Sequence, residues 1–350
     1  MARPPLRPRG TTAQPANRFD PLHVERDPGE EPSGREPTRF FRDASRSVLA
    51  ENASPDVGFR WSLNPYRGCE HGCSYCYARP SHEYLGFDAG LGFETRIMVK
   101  DDAPALLRRT LSSPRWQPET IALSGNTDCY QPAERRLRLT RRCLEVLAEF
   151  RNPVAVITKS ALVARDVDLL GTLAAHGAAH VNVSVTTLDD ELARRMEPRA
   201  AQPARRLEAI AALAKGGVPV GVLIGPVIPG LNDVEIPRIL EAAAAAGARG
   251  AAWVLLRLAA PLDRLFDGWL ATHYPERRER VLGRIRDVRG GGMNDTRFGI
   301  RQRGTGVHAE QIASLFAVAA RRHGLHQPLP PLRTDAFRRP PQPGDQMPLL

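Results

Sequence analysis

Cys69, Cys73 and Cys76 fall within a single short run, Cys69-Glu-His-Gly-Cys73-Ser-Tyr-Cys76. This C-x3-C-x2-C spacing lets one loop set three thiolates around a corner of a small inorganic cluster. Iron–sulfur clusters are held by cysteine thiolates, usually four for a cubane, and this loop offers only three. One iron is then left without a protein ligand. A metal with an open position is a reactive metal, by the logic that separates catalytic from structural zinc sites. The spacing also admits a zinc loop, with His71 inside it and His82 just after it as further ligands. Zinc sites, however, usually read as two cysteine pairs, or a cysteine pair followed by a histidine pair. The remaining cysteines, Cys129 and Cys143, lie far downstream and are not paired at ligand spacing.

A reactive loop of this kind needs a frame, and the surrounding chain supplies one by its hydrophobic pattern. Phe59–Leu63, Thr120–Leu123, Val154–Thr158, Ala179–Val185, Val218–Ile224 and Ala252–Leu258 read as strands, apolar enough to be buried on both faces. Between them run segments with helical spacing. Glu134–Phe150 places Leu137, Leu144, Leu147 and Phe150 on one stripe, and Pro203–Lys215 opens on Pro and stops at Gly216-Gly217. Strands alternating with helices imply an α/β fold with parallel pairing. Pattern alone leaves an open doubly wound sheet and a barrel equally available. In either, loops after the strands gather on one rim, and that rim collects the cysteine loop, Ser124–Asp128, Lys159-Ser160, Ser184–Thr187 and Gly225–Gly230.

The stretches NPYRGCEHGCSYCYARPSHEYLGF, SGNTDCYQPAERRLRLTRR, VITKSALVARD, VSVTTLD and PVIPGLND follow one another from Asn64 to Asp233. Together they resemble the radical S-adenosylmethionine superfamily. More narrowly, they resemble its branch related to spore photoproduct lyase, often called DNA repair photolyase-like. The resemblance implies a partial (β/α)6 TIM-like barrel holding a [4Fe–4S] cluster on Cys69, Cys73 and Cys76. S-adenosyl-L-methionine would chelate the open iron. Tyr75 would lie against its adenine, Gly125, Asn126, Thr127 and Asp128 would hold its amine, Lys159 would approach its carboxylate, and Ser184 or Thr186 its ribose. One electron, from an external donor such as flavodoxin or ferredoxin, would split the sulfonium and yield a hydrogen-abstracting 5′-deoxyadenosyl radical. Tyr77 and Tyr75 flank Cys76 as in the lyase, where a cysteine returns the hydrogen atom. Here Cys129 is either a displaced counterpart of that cysteine or a plain thiol in a polar turn. Taken singly, several of these residues have a structural reading: a Gly-Asn after a strand is a turn, and Ser or Thr at a strand end caps the next helix. Convergence on one rim favours the functional reading.

The formal net charge of +10 suits a nucleic-acid partner. Lys occurs only at Lys100, Lys159 and Lys215, so the excess is almost entirely Arg, which codon bias would also produce. Residues 1–45 and 326–350, rich in Pro, Arg and polar residues, are expected to be disordered. The barrel then occupies residues 46–260 and a helical C-terminal extension residues 261–325. Within that extension, Arg289, Arg297, Arg301 and Arg303 form either a phosphate-binding surface across the mouth or a flexible loop between helices Tyr274–Val288 and Val307–His323. Absence of a long apolar run or an apolar leader core points to a cytoplasmic protein without a membrane partner. Three functions fit: a lyase- or oxidoreductase-type radical enzyme acting on a nucleic-acid base, in repair or modification; the same chemistry on a peptide or small molecule; and a non-catalytic iron–sulfur or zinc sensor.

Overall fold

The computed structural model describes residues 9–11, 14–19 and 36–341. The described residues form ten strands: β1 (Arg39–Arg42), β2 (Leu49–Glu51), β3 (Trp61–Leu63), β4 (Tyr66–Arg67), β5 (Arg96–Val99), β6 (Ile121–Leu123), β7 (Val154–Thr158), β8 (Ala179–Ser184), β9 (Val220–Val227) and β10 (Gly250–Leu255). The main sheet has the order β10-β9-β8-β7-β6-β3-β2. Its six strands from β3 to β10 pair in parallel, and β2 closes one edge antiparallel to β3. This is the partial (β/α)6 barrel that the family resemblance implies. It is unclosed, because β10 does not pair with β3.

Core formation follows from the apolar strands. Val154, Val156, Val181, Val183, Val220, Val222 and Ile224 are fully buried and join Leu144, Leu147, Ile210 and Leu213 from the flanking helices in one cluster. At roughly 1.5–3 kcal/mol for each fully buried large aliphatic side chain, this cluster dominates the stabilisation of the barrel. β7 and the helix Pro203–Lys215 have the bounds expected from sequence. The expected helix Glu134–Phe150 is instead two, Glu134–Leu137 and Leu139–Phe150, broken at Arg138 in the left-handed region. Glu134 explains the break. Its buried carboxylate accepts from the backbone N–H of Thr140 (3.0 Å) and Arg141 (3.3 Å), supplying the second helix with otherwise missing first-turn partners.

The described parts of both ends are more ordered than composition suggests. Within residues 1–45, β1 pairs in parallel with β5, which pairs antiparallel with β4 in a small second sheet. All four β1 side chains are exposed; backbone pairing orders the segment, a contribution that a composition rule does not count. Arg9 and Gly10 also reach Glu94, at 3.2 Å to its carbonyl and 2.9 Å to its carboxylate respectively. The tail that was expected to be disordered from residue 326 instead runs under the barrel as far as 341. Arg333 N–H donates to Gly177 O (2.9 Å), Arg338 N–H to Phe150 O (2.9 Å), and the Phe337 ring packs 6.2 Å from that of Phe150. Residues 342–350 and much of 1–35 lie outside the described residues. The C-terminal extension forms helices Leu262–His273, Arg278–Asp287 and Val307–Arg322. Among the described residues no helix is long and apolar enough to cross a membrane.

Candidate iron–sulfur and cofactor site

The cysteine loop leaves the C-terminal end of β3 and is shaped by two glycines. Gly68 has φ +79, and a Cβ there would meet Phe93 O and the His82 ring at 2.9 Å. Gly72 has φ +68, and its Cβ would lie 2.6 Å from the Glu94 carboxylate. No other residue fits either position without displacing a neighbour. Arg79, fully buried, braces the loop from beneath. It donates to the carbonyls of Cys73 (2.9 Å), Ala89 (3.2 Å) and Gly90 (2.9 Å), and pairs with buried Glu94 at 2.6 Å. Gln131 clamps the opposite side, donating to Gly68 O (3.1 Å) and accepting from Glu70 N–H (2.9 Å).

Cys69 and Cys73 are 6% and 7% exposed, Cys76 is half-buried, and all are free thiols. Burial pushes every one of them up, and on Cys69 the neighbouring Cys73 and Cys76 add to the rise. Three thiols on one short loop, without a fourth, suit a group that carries its own positive charge and offers one bare corner. A cubane cluster is such a group. Among the described residues, no three His, Cys, Asp or Glu side chains converge on a point suited to a single ion. The geometry therefore lends nothing to the Cys/His zinc alternative.

The loop after β6 is held against the cysteine loop. Asn64 Oδ1 accepts from the N–H groups of Asn126 (2.9 Å) and Thr127 (3.2 Å), while Thr127 Oγ1 donates to Tyr66 O (2.8 Å). The Tyr77 hydroxyl donates to Gly125 O at 2.7 Å. Asp128 sits differently from what the resemblance implies. Its carboxylate accepts from Thr158 Oγ1 (2.7 Å), Lys159 N–H (2.8 Å) and Tyr130 N–H (2.9 Å), and lies 3.4 Å from His71 Nδ1. Burial alone would raise this carboxyl. His71 and the hydrogen bonds more than offset that and hold it at about 2. With its lone pairs committed, Asp128 ties β7 and the cysteine loop to the 124–128 turn.

A second buried network lies beneath Tyr75. Its hydroxyl donates to Glu197, which also accepts from Thr186 Oγ1 (2.8 Å) and pairs with Arg206. Arg206 donates further to Ser184 O (3.0 Å), and the Ser184 and Thr186 hydroxyls both stand 3.3 Å from Gly225 O. The Lys159 ammonium lies 5.8 Å from the centre of the Tyr75 ring and is a stabilising charge for the Cys73 and Cys76 thiolates. Tyr75, Lys159, Ser184, Thr186 and the cysteines are thus brought together on the rim, as the strand order requires. Sequence reasoning missed Glu197 and Arg206. Neither belongs to a recognisable spacing motif, and only the approach of two helices makes them partners.

Cys129 is not on that rim. It is wholly buried in the principal core, its N–H bound by Ser124 Oγ (2.7 Å) and its carbonyl by Thr140 Oγ1 (2.6 Å). Burial, followed by the neighbouring Asp128 charge, pushes its thiol well up. We read it as the plain core thiol of the two alternatives, a reading carried by its burial. Cys129→Ala should leave the product distribution unchanged and lower stability by about 1–2 kcal/mol as a small cavity forms, read by denaturant unfolding. Altered products at undiminished stability would reverse this reading. Cys143 is likewise core.

The arginines of the extension are mostly spent internally. Arg289 donates to the carbonyls of Leu255 (3.1 Å), Leu256 (2.5 Å) and Arg301 (2.7 Å), Arg297 pairs with Asp295 (2.7 Å), and Arg301 binds Asp56 and Ser54. Arg303 lies 4.6 Å from the Trp253 ring centre. Buried Arg289 is thereby withdrawn from any phosphate surface, whereas the Arg297 side chain stays exposed beside Asp295.

Residues 63–243 match the family model described as Radical SAM superfamily. An uncharacterized protein of Mycobacterium tuberculosis is 37% identical over 276 residues, 78% of this chain and 78% of its own length. The Radical SAM Nalpha-GlyT isomerase of Pseudomonas phage M6 is 24% identical over 210 residues, 59% of this chain and 42% of its own. Spore photoproduct lyase complexed with dinucleoside spore photoproduct shares the fold, with TM-score 0.58 at 14% identity over 82% of this chain and 81% of that one. A three-cysteine loop at the end of the first barrel strand, and a family match that runs from that strand through the fifth, lead to one conclusion. The chain belongs to the radical S-adenosylmethionine superfamily, whose cofactors are a [4Fe–4S] cluster and S-adenosylmethionine.

Proposed function

We propose that this protein is a radical S-adenosylmethionine enzyme whose substrate is a nucleic-acid base, in a repair or modification reaction. The observation that carries the reading is the three-thiol loop without a fourth cysteine, at the mouth of a fold shared with a lyase solved with a dinucleoside. Cys69, Cys73 and Cys76 would hold the cluster, and the 125–128 turn, Lys159, Ser184, Thr186 and Tyr75 would line the S-adenosylmethionine site. When bound, these groups supply one-electron cleavage of a carbon–sulfur bond and the hydrogen abstraction that follows.

The chain's own residues do the positioning. Arg79 and Gln131 fix the loop carbonyls, so that the thiols are held in one arrangement before any cofactor arrives. Lys159 places a point charge beside Cys73 and Cys76 and near Tyr75, where a carboxylate is welcome. Glu197 and Arg206 fix the Tyr75 ring as a flat, immobile wall. Tyr77, bound to Gly125 O, ties the cysteine loop to the second rim loop. Electrons would come from a small external donor such as flavodoxin or ferredoxin.

Anaerobic reconstitution with iron and sulfide, followed by reduction with S-adenosylmethionine present, should yield 5′-deoxyadenosine. Binding to single-stranded DNA or RNA should weaken steeply with salt, because phosphate contacts release counterions. Deoxyadenosine release without any salt-sensitive nucleic-acid binding would move the substrate to a peptide or small molecule. One equivalent of zinc and no iron chromophore would end the enzyme reading.

A further inference from the structure

Arg257 follows β10 directly and stands at the C-terminal end of the last barrel strand, where the rim loops converge. Unlike Arg289 and Arg301 beside it, its side chain has no hydrogen bond or ion pair among the described residues. Its Nε is sealed from water and has no partner. Such an orphaned charged donor is rare in native structures and calls for an explanation. Asp56 is the carboxylate within its electrostatic reach, and it is already taken by Arg301 and by Gly299 N–H (2.6 Å). Arg289 and Arg301 crowd it with further positive charge. The remaining neighbour is Tyr77, 61% exposed, whose hydroxyl is anchored to Gly125 O.

From this arrangement we infer that Arg257 is a substrate-binding residue, gripping an anionic oxygen group of the substrate beside the Tyr77 ring. The terminal N–H groups of the guanidinium, which are not sealed as Nε is, lie in one plane, a geometry that two oxygens of a phosphodiester accept together. Arg289 makes this possible by tying down the Leu255 and Leu256 carbonyls, so that the backbone cannot satisfy Arg257 instead. Tyr77 offers an exposed ring face at the same place, and a base stacked on it would bring its own phosphate toward the fork. The phosphodiester identity rests on the nucleic-acid reading above; the anion grip does not.

The test uses reconstituted holoenzyme and compares wild type with Arg257→Gln and Arg257→Lys. Affinities are measured for a single-stranded oligodeoxynucleotide across a salt series, for inorganic pyrophosphate, and for S-adenosylmethionine. Arg257→Gln should weaken both anions about tenfold, lower the salt slope for the oligonucleotide by roughly one, and leave S-adenosylmethionine affinity unchanged. Arg257→Lys should fall between, keeping the charge and losing the fork. Without any anion, Arg257→Gln should unfold no earlier than wild type, because no internal partner is lost. Pyrophosphate held through Arg257 with no oligonucleotide binding would sink the nucleic-acid reading and uphold the anion grip. Unchanged affinity for both anions, absence of binding even in wild type, or a loss confined to S-adenosylmethionine would each overturn the assignment.

Discussion

Cys73→Ala, purified and reconstituted without oxygen, should lose the cubane absorption and form no measurable 5′-deoxyadenosine. With three protein ligands there is no spare thiol to substitute. Cys129 and Cys143 are locked in the principal core, and His71 is held against Asp128 at 3.4 Å. The folded chain should survive, since Cys73 contributes a small, nearly buried side chain to a peripheral cluster with Leu192, Met196 and Phe266. A variant that keeps both chromophore and cofactor cleavage would place the metal elsewhere. Far-ultraviolet circular dichroism on the same samples separates loss of the cluster from loss of the fold.

The second large effect concerns stability. Arg206→Met should destabilise the protein by about 3–5 kcal/mol at neutral pH, because it strands a buried carboxylate. Glu197 is 1% exposed, and Arg206 is its buried cationic partner. In the wild type, burial alone would raise the Glu197 carboxyl, but Arg206, then Lys159 and the hydrogen bonds, bring it below its ordinary value. A lowered folded pKa contributes stability above the unfolded value, and this is lost as pH falls through the folded one. Without Arg206 the folded pKa rises instead, so the variant's deficit should be largest near neutrality and shrink as the medium is acidified below the ordinary glutamate range. Glu197→Met combined with Arg206→Met should recover much of the loss, as apolar replacements of buried pairs often do. Denaturant titrations at several pH values measure all of this. A deficit that is independent of pH would mean that the pair packs but is not electrostatically coupled.

Much of the barrel is legible in the chain because buried parallel strands and amphipathic helices write their period into local sequence. Val154–Thr158 and Pro203–Lys215 have the expected ends for that reason. Where the reading slips, a long-range partner intervenes. Arg138 breaks a helix because Glu134 turns back to hold Thr140 and Arg141, and Arg39–Arg42 is ordered by the edge of β5 rather than by burying its own side chains. The same holds at the site. Asp128 looks like a free acceptor in the run Thr127-Asp128-Cys129, yet β7 and His71 consume its lone pairs.

By itself, the sequence determined that three thiols stand on one short loop, because C-x3-C-x2-C spacing is a local property that no distant residue alters. Through hydrophobic period it also determined the alternation of buried parallel strands and helices that presents them, while an open sheet and a barrel remained equally available to that pattern. Only the tertiary structure decided that Cys129 faces the core, that Glu197 and Arg206 anchor Tyr75, and that Arg257, unlike Arg289 and Arg301, has no side-chain partner among the described residues. Whether a polar group is spent or available depends on what lies across space from it, and that pairing is made by packing between segments remote in the chain.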